Sequence, residues 1–262
     1  MTLDDDIIAA LAARLAEAER TRQPIAKITD DFPALDWEDA YAIQYALREA
    51  KLAHGVQVAG LKAGLTSRAK MRQMNVAEPV FGFLCAEGAW PDGAAIDMNR
   101  YIAPRIEAEI ALVTRRELRG PGCHVAQVLA ATECILPAVE ILDSRYQNFD
   151  FDLVSVIADN TSAAGFVTGG RPRRPAALDL PTLGVVVEKN GVVVELGAGA
   201  AVLGHPAEAV AMLANNLARR GESIAPGTFI MTGGITAAIA IARGDNITVR
   251  FQELGSLSLR CE

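Results

Sequence analysis

Two glutamates, Glu107 and Glu109, lie two residues apart inside the apolar segment PRIEAEIALV. Side chains of a β-strand alternate between its two faces, so both carboxylates would lie on one face, with their Cα atoms about 6 to 7 Å apart. Like charges at this distance repel each other and resist burial unless a cation, a proton or water compensates them. The pair therefore predicts a compensating partner.

A third glutamate, Glu140, has a comparable setting in the apolar segment ILPAVEIL. Three carboxylates without a matching set of histidines or cysteines suit a hard cation such as Mg²⁺ or Mn²⁺, which prefers oxygen ligands. The alternative is that Glu107 and Glu109 lie on a solvent-exposed strand face and pair with Arg105 or Arg115. The spacing of the two glutamates does not decide between these alternatives by itself.

Lys62 lies between two glycines in the apolar segment VAGLKAG. Glycines in a strand let a ligand or another backbone approach closely, and a buried lysine needs an anion as its partner. Thr66 and Ser67 follow and can cap a helix running to about Met74, whose free N–H groups would attract a carboxylate. The alternative is a lysine whose ammonium group reaches solvent from the end of a strand.

Two further polar segments have both a functional and a structural interpretation. Asp159 and Asn160 in VIADNTSAAG would either extend the polar site or form an Asx-type turn before the next strand. His205 precedes Pro206, and proline is typical of the first helical turn. We therefore expect His205 at a helix start rather than as a catalytic base.

Helical patterns must position some of these residues. The segment at 3–20 has apolar residues at helical spacing and acids in its first turn, where the helix dipole favours them. The segment LDWEDAYAIQYALREAKLAHG has Asp36 as a candidate N-cap and Gly55 as a candidate end. Further helices are expected near 66–74, 125–133 and 206–220.

From about residue 56 the chain is rich in short β-branched runs separated by glycines, which are typical of strands. Asn190-Gly191 between two valine-rich arms predicts a type I′ hairpin. Strands interspersed with helices, together with a hairpin, indicate an α+β fold with a largely antiparallel core. We expect a helical N-terminal segment at 1–55 and a β-rich catalytic domain at 56–262.

The composition narrows the class of protein. A chain of 262 residues that is 51% apolar can build a sizeable core, and its formal charge of −7 disfavours nucleic acid or an anionic membrane as a partner. No run approaches the roughly 18 to 20 apolar residues of a membrane span, and the acidic start is unlike a secretory signal. We therefore expect a cytoplasmic protein with a small-molecule partner. The scattered cysteines, which predict neither a disulfide framework nor a zinc site, are Cys85, Cys123, Cys134 and Cys261.

Five segments in order carry a family resemblance: GLKAGLTSRAKM, PRIEAEIALV, LPAVEILDSRYQNFDFDLVSVIADN, VVVEKNGVVVELGAGAAVLGHP and GTFIMTGGITAA. Together they resemble the 4-oxalocrotonate (2-oxohex-3-enedioate) decarboxylases of aromatic meta-cleavage pathways. These are relatives of the 2-oxopent-4-enoate hydratases in the fumarylacetoacetate hydrolase superfamily. The resemblance runs from about Ile25 to the C-terminus. It implies the β-rich, mixed-sheet roll of that superfamily.

The resemblance also implies roles for particular residues. Glu107, Glu109 and Glu140 would hold one divalent ion, usually Mg²⁺ with Mn²⁺ as an alternative, and Lys62 would act at the substrate. We expect further substrate contacts at Thr66, Ser67, Val80, Asp159 and Thr232. The implied partners are an oxo-dicarboxylate substrate, the hydratase of the same pathway and further copies of the chain.

The implied reaction is metal-dependent decarboxylation. Val80 stands where the hydratases typically carry an aspartate, and valine neither binds nor activates water. One alternative is the hydratase reaction itself. A second is a carbon–carbon hydrolase, although no histidine-acid pair for activating water is evident in the N-terminal segment. The third is a non-catalytic, metal-dependent binder of dicarboxylates.

Overall fold

The computed structural model describes residues 3–73 and 76–262. The chain begins with the helices α1 (Asp5–Thr21), α2 (Ile28–Asp31) and α3 (Trp37–Ala53). The remaining elements, in chain order, are β1 (Val58–Gly64), α4 (Arg68–Gln73), β2 (Val80–Cys85), β3 (Ala89–Pro91), β4 (Ala94–Ile96), β5 (Arg105–Thr114), α5 (Val125–Ala131), β6 (Thr132–Leu142), α6 (Leu153–Ala158), β7 (Ala163–Thr168), β8 (Gly184–Lys189), β9 (Val192–Ala198), α7 (Pro206–Ala218), β10 (Phe229–Met231), β11 (Ile239–Ala240), β12 (Asn246–Phe251) and β13 (Gly255–Cys261). The fold is α+β, with a helical N-terminal segment before mixed sheets, as predicted.

Local signals in the sequence explain where the main helices begin. Asp36 caps α3, because its side chain accepts hydrogen bonds from the backbone N–H groups of Glu38 and Asp39. Gly55 follows α3 with a φ of +85°, a left-handed conformation that favours glycine. At the start of α7, His205 Nδ1 accepts a hydrogen bond from the Ala207 backbone N–H at 3.0 Å. The predicted structural role of His205 is thus confirmed.

The described strands form two sheets. One has eight strands in the order β2-β1-β10-β5-β6-β7-β3, with β11 also paired to β5. The other has five strands in the order β4-β13-β12-β8-β9. Most neighbouring strands are antiparallel, as predicted, but β1 pairs with β10 in parallel. This pairing brings Lys62 beside Met231, which precedes the glycine pair Gly233-Gly234.

The predicted hairpin is confirmed between β8 and β9. Asn190 and Gly191 connect the two strands with φ values of +55° and +80°, which are the signs that a type I′ turn requires. The β8 valines Val185 and Val187 face the main hydrophobic core. Much of the apolar surface of β9 is exposed, including Leu196.

The N-terminal helices pack against the part of the chain that follows residue 55. Leu11 of α1 and Leu47 of α3 share a hydrophobic cluster with Val80 and Tyr146. The division at residue 55 stays a prediction. No helix among residues 3–73 and 76–262 combines the length and the apolar character that crossing a bilayer requires.

Candidate metal and substrate site

Three glutamates meet where β5 and β6 pair within the eight-stranded sheet. Glu107 is the direct register partner of Glu140, and Glu109 lies two residues further along the same face of β5. One carboxylate oxygen from each of the three lies within 4.8 Å of the others. The sequence therefore predicted this cluster correctly, although the chain separates its members by about thirty residues.

Glu109 is the most deeply buried of the three, with no exposed surface. Its Oε2 atom accepts a hydrogen bond from the Gly233 backbone N–H at 2.7 Å, whereas Oε1 has no hydrogen-bond partner within the described part of the chain. Burial, reinforced by the Glu140 carboxylate, raises the pKa of Glu109 well above its ordinary value. An orphaned, buried oxygen among three carboxylates fits a divalent cation with oxygen ligands. The alternative of a solvent-exposed face is wrong for Glu109.

Lys62 is also buried, with 2% of its side chain exposed. Its Nζ atom lies 2.5 Å from Glu140 Oε1 and donates to the Thr161 backbone carbonyl at 3.1 Å. The alternative of a lysine that reaches solvent is therefore wrong. A Cβ added to Gly60 would lie 2.3 Å from the Phe229 carbonyl oxygen, so this glycine permits the close pairing of β1 with β10.

A cavity of about 260 Å³ opens beside Lys62 and Glu107. Thr66, Ser67 and Val80, which were predicted to contact the substrate, all line it. Its apolar wall further includes Leu65, Leu142, Phe149, Phe151, Leu153 and Val156. Helix α4 begins directly after Ser67 as expected, whereas its predicted end at Met74 lies outside the described residues. The arrangement offers a charged inner end and a largely apolar wall.

The sequence offered a turn at Asp159 and Asn160 as an alternative, but it did not predict the left-handed run over Asn160, Thr161 and Ser162. Their φ values of +48°, +54° and +58° are left-handed, which few residues other than glycine adopt. Asn160 holds the turn, because its side chain both accepts from Phe83 N–H and donates to Phe83 C=O at 2.9 Å. The Thr161 and Ser162 hydroxyls are buried without hydrogen-bond partners in the described ranges, and both residues line the cavity. These hydroxyls are therefore available to a ligand.

A second missed feature is the glycine pair Gly233-Gly234. A Cβ at Gly234 would lie 2.3 Å from Glu107 Oε2, and one at Gly233 would lie 2.1 Å from Thr66 Oγ1. Gly233 also has a φ of +106°. The segment TGG carried this signal, since consecutive glycines allow close backbone approach, but the sequence did not show what approaches.

Two residues that were predicted to contact the substrate, Asp159 and Thr232, are not among the described residues that line the cavity. Asp159 is fully buried and forms an ion pair with the Arg145 guanidinium. Thr232 is fully buried and its hydroxyl donates to the Ile110 carbonyl at 2.8 Å. Both side chains have structural partners within the fold, and their contact with the substrate stays a prediction.

Comparison with known proteins defines the class of this chain. Residues 47–261 match the family model of the fumarylacetoacetate (FAA) hydrolase C-terminal domain, and the chain belongs to this family. It is 58% identical to the 4-oxalocrotonate decarboxylase of Pseudomonas sp. (strain CF600), over 99% of this chain and 98% of that protein. It is 39% identical to the 2-oxo-hept-4-ene-1,7-dioate hydratase of Escherichia coli, over 95% of this chain and 96% of that protein.

A solved structure gives the same result for the fold. The 4-oxalocrotonate decarboxylase from Pseudomonas putida G7, complexed with magnesium and adipate, superposes with a TM-score of 0.98 at 56% identity. The match covers 100% of this chain and 99% of that one. The β-rich fold of the fumarylacetoacetate hydrolase type, which the sequence resemblance implied, is thereby confirmed.

Proposed function

We propose that this protein is a divalent-metal-dependent decarboxylase that converts 2-oxohex-3-enedioate into CO₂ and 2-hydroxypenta-2,4-dienoate or its keto form, 2-oxopent-4-enoate. The observation that carries this proposal is 58% identity over nearly the whole length of a 4-oxalocrotonate decarboxylase. The carboxylate cluster and the apolar cavity beside it agree with the chemistry that the reaction requires.

The reaction is a vinylogous loss of CO₂. The C5–C6 bond breaks, and its electron pair forms a C4–C5 double bond. The C3–C4 π electrons then form the C2–C3 double bond, and the C2 carbonyl π electrons become a lone pair on the 2-oxo oxygen. Protonation of that oxygen gives the dienol. Catalysis must therefore stabilise negative charge at the 2-oxo oxygen in the transition state.

Glu107, Glu109 and Glu140 would hold the divalent cation, and Mg²⁺ suits their oxygen atoms. When bound, such a cation supplies Lewis-acid stabilisation of the charge on the 2-oxo oxygen. The three carboxylates keep their positions through the β5–β6 pairing and the Gly233 N–H, which fixes Glu109. The site is thus built on adjacent strands rather than on loops.

Lys62 would act at the anionic end of the substrate. Its ammonium group has three hydrogens, and two of them have acceptors in Glu140 Oε1 and the Thr161 carbonyl oxygen. The third can orient the 1-carboxylate or the 2-oxo oxygen, or deliver a proton to that oxygen. The Thr161 and Ser162 hydroxyls can donate to the same end, because they line the cavity with Lys62.

The apolar wall favours decarboxylation over hydration. Val80 is 2% exposed and lines the cavity, and its side chain cannot bind or activate water. A carboxylate with fewer water contacts is less favoured relative to neutral CO₂. The hydratase reaction is the second candidate, because the chain is also 39% identical to a hydratase over nearly its full length.

Two substrates separate these candidates. Purified protein with Mg²⁺ should release CO₂ from 2-oxohex-3-enedioate and accumulate 2-hydroxypenta-2,4-dienoate or its keto form. Conversion of that dienol into 4-hydroxy-2-oxopentanoate, with the six-carbon diacid left intact, would establish the hydratase instead. Stabilisation by the diacid without turnover of either compound would indicate a non-catalytic binder.

Location and association belong to the same proposal. We place the enzyme in the cytoplasm, in a homo-oligomer and in a complex with the pathway's 2-oxopent-4-enoate hydratase. Light scattering of the purified chain, alone and mixed with that hydratase, tests the association. The mass of one chain for the purified protein would contradict the homo-oligomer, and separate, unchanged species in the mixture would contradict the complex.

A further inference from the structure

Arg105 continues the row of charged side chains on β5. It lies two residues before Glu107 and four before Glu109, so all three lie on one face of the strand. Arg105 and Glu107 are half-buried, whereas Glu109 is fully buried. Arg105 also lines the cavity. The row therefore runs from a cationic outer end to an anionic inner end.

The Arg105 guanidinium rests on an aromatic ring rather than on a carboxylate. Its central carbon lies 4.0 Å from the centroid of the Phe149 ring. Within the described ranges it has neither an ion pair nor a hydrogen bond, whereas Arg115, which directly follows β5, donates to the Ala130 carbonyl. A stacked guanidinium keeps its N–H donors free and holds them in one plane.

The loop that supplies the ring has an unusual backbone. Asn148 and Phe149 have φ values of +58° and +57°, which for phenylalanine is a strained, left-handed conformation. Strain of this kind persists only where the surrounding structure requires it, and it is frequent at ligand sites. Here it places the Phe149 ring on the cavity wall beneath Arg105.

We propose, on the basis of the proposed function, that Arg105 binds the carboxylate at the far end of the substrate and makes the site selective for dicarboxylates. The substrate has two carboxylates separated by four carbons, and one of them occupies the inner end. Of the described residues that line the cavity, Lys62 and Arg105 are the cationic ones, and Lys62 is already paired with Glu140. The planar guanidinium matches a carboxylate in a two-point contact.

The chemistry gives this contact a distinct kinetic signature. The far carboxylate is the group that leaves, and it becomes neutral CO₂ as the C5–C6 bond breaks. The ion pair with Arg105 is therefore strongest in the bound substrate and weakens toward the transition state. Loss of such a contact raises KM more than it lowers kcat. Loss of Lys62, which acts where charge develops, lowers kcat instead.

Calorimetry with two unreactive acids tests the contact without turnover. Adipate is a six-carbon dicarboxylate, and hexanoate has the same chain with one carboxylate. The Mg²⁺-loaded protein should prefer adipate, and Arg105→Gln should bind adipate about 10- to 100-fold more weakly with hexanoate affinity unchanged. Arg105→Lys should be intermediate, because it keeps the charge without the planar fork. Arg115→Gln is the matched control and should bind both acids as the unchanged protein does.

Three outcomes would overturn the assignment of Arg105. The first is that the unchanged protein does not prefer adipate, and the second is that Arg105→Gln binds adipate within twofold of the unchanged protein. The third is that Arg105→Gln weakens the binding of adipate and of hexanoate equally. Kinetics on 2-oxohex-3-enedioate add a second criterion, since a fall in kcat at unchanged KM would also contradict the assignment. Failure of the unchanged protein to release CO₂ would instead reject the proposed decarboxylase function. The binding of the two acids would still decide whether Arg105 binds the second carboxylate.

Discussion

Glu109→Gln should make the metal-free protein more stable while abolishing its activity. Glu109 is fully buried, and its Oε1 atom has no hydrogen-bond partner within the described part of the chain. Two further carboxylates, Glu107 and Glu140, have oxygens within 4.8 Å. Glutamine keeps the shape and removes the charge, and its amide N–H groups can donate to the neighbouring carboxylates.

The expected increase in the free energy of unfolding follows from the cost of an unsatisfied buried polar group, which is about 1 to 3 kcal/mol. For a chain of about this size each kcal/mol shifts Tm by about 2 to 4 °C, so Tm should rise by about 2 to 12 °C. Thermal unfolding after treatment with EDTA measures this change. Glu133→Gln, at an exposed position of β6, is the matched control and should change the free energy of unfolding by about 0.5 kcal/mol or less.

Addition of Mg²⁺ should make the unchanged protein more stable than Glu109→Gln, the reverse of their order in EDTA. A ligand at 100 times its Kd stabilises the folded state by about 2.7 kcal/mol, and only the protein with all three carboxylates should gain this amount. If Glu109→Gln unfolds at a lower temperature than the unchanged protein in EDTA, the repulsion that we assign to the metal-free cluster is absent. Equal stabilisation of both proteins by Mg²⁺ would remove Glu109 from the metal site.

Three further predictions concern the walls of the cavity. Lys62→Met should lower kcat/KM by about 10²- to 10³-fold, the effect of removing one preorganised donor. Lys27→Met, at a half-buried lysine that pairs with Asp30 and Asp150, should not change it. An unchanged value for Lys62→Met would exclude Lys62 from the reaction. Val80→Thr should slow CO₂ release several-fold, because its hydroxyl holds water at the apolar wall, and an unchanged kcat would assign Val80 to packing alone. Asn160→Ala should lower the free energy of unfolding, measured in urea, by about 2 to 4 kcal/mol. The reason is that two hydrogen bonds to Phe83 are lost at a residue with a left-handed backbone. A loss of less than about 0.5 kcal/mol would contradict the role of Asn160 in holding the turn.

The sequence predicted features that depend on neighbouring residues. Strand alternation places Glu107 and Glu109 on one face, and the Asn190-Gly191 turn requires only its own φ values. The start of α3 follows from Asp36 in the same way. Such local signals also located the segments that became β1, β5, β6 and α7.

Features that depend on distant pairings were not predictable in the same way. The parallel pairing of β1 with β10 joins segments about 170 residues apart, and it decides what approaches Gly60. Short elements such as β3, β4 and α6 have too few residues to show a hydrophobic periodicity in the sequence. Asp159 was predicted as a site residue because its charge was visible in the sequence, whereas its ion pair with the buried Arg145 was recognisable only in the fold.

For Arg105 the sequence suggested a structural ion pair, whereas the fold places its side chain at the cavity. In the sequence it was, with Arg115, one of two candidate partners for Glu107 and Glu109. In the fold its guanidinium lies on Phe149, whose position depends on two left-handed residues in a loop. Neither residue type predicts that conformation strongly enough for it to be seen in advance.

The most direct test of the account is the stoichiometry of CO₂ release against bound metal. Protein stripped with EDTA and titrated with Mg²⁺ should be inactive at first and should reach its full rate at one ion per chain. At that point it should release one CO₂ for each 2-oxohex-3-enedioate consumed. Turnover at the full rate by protein shown to be metal-free, or consumption of the diacid without CO₂, would contradict the account.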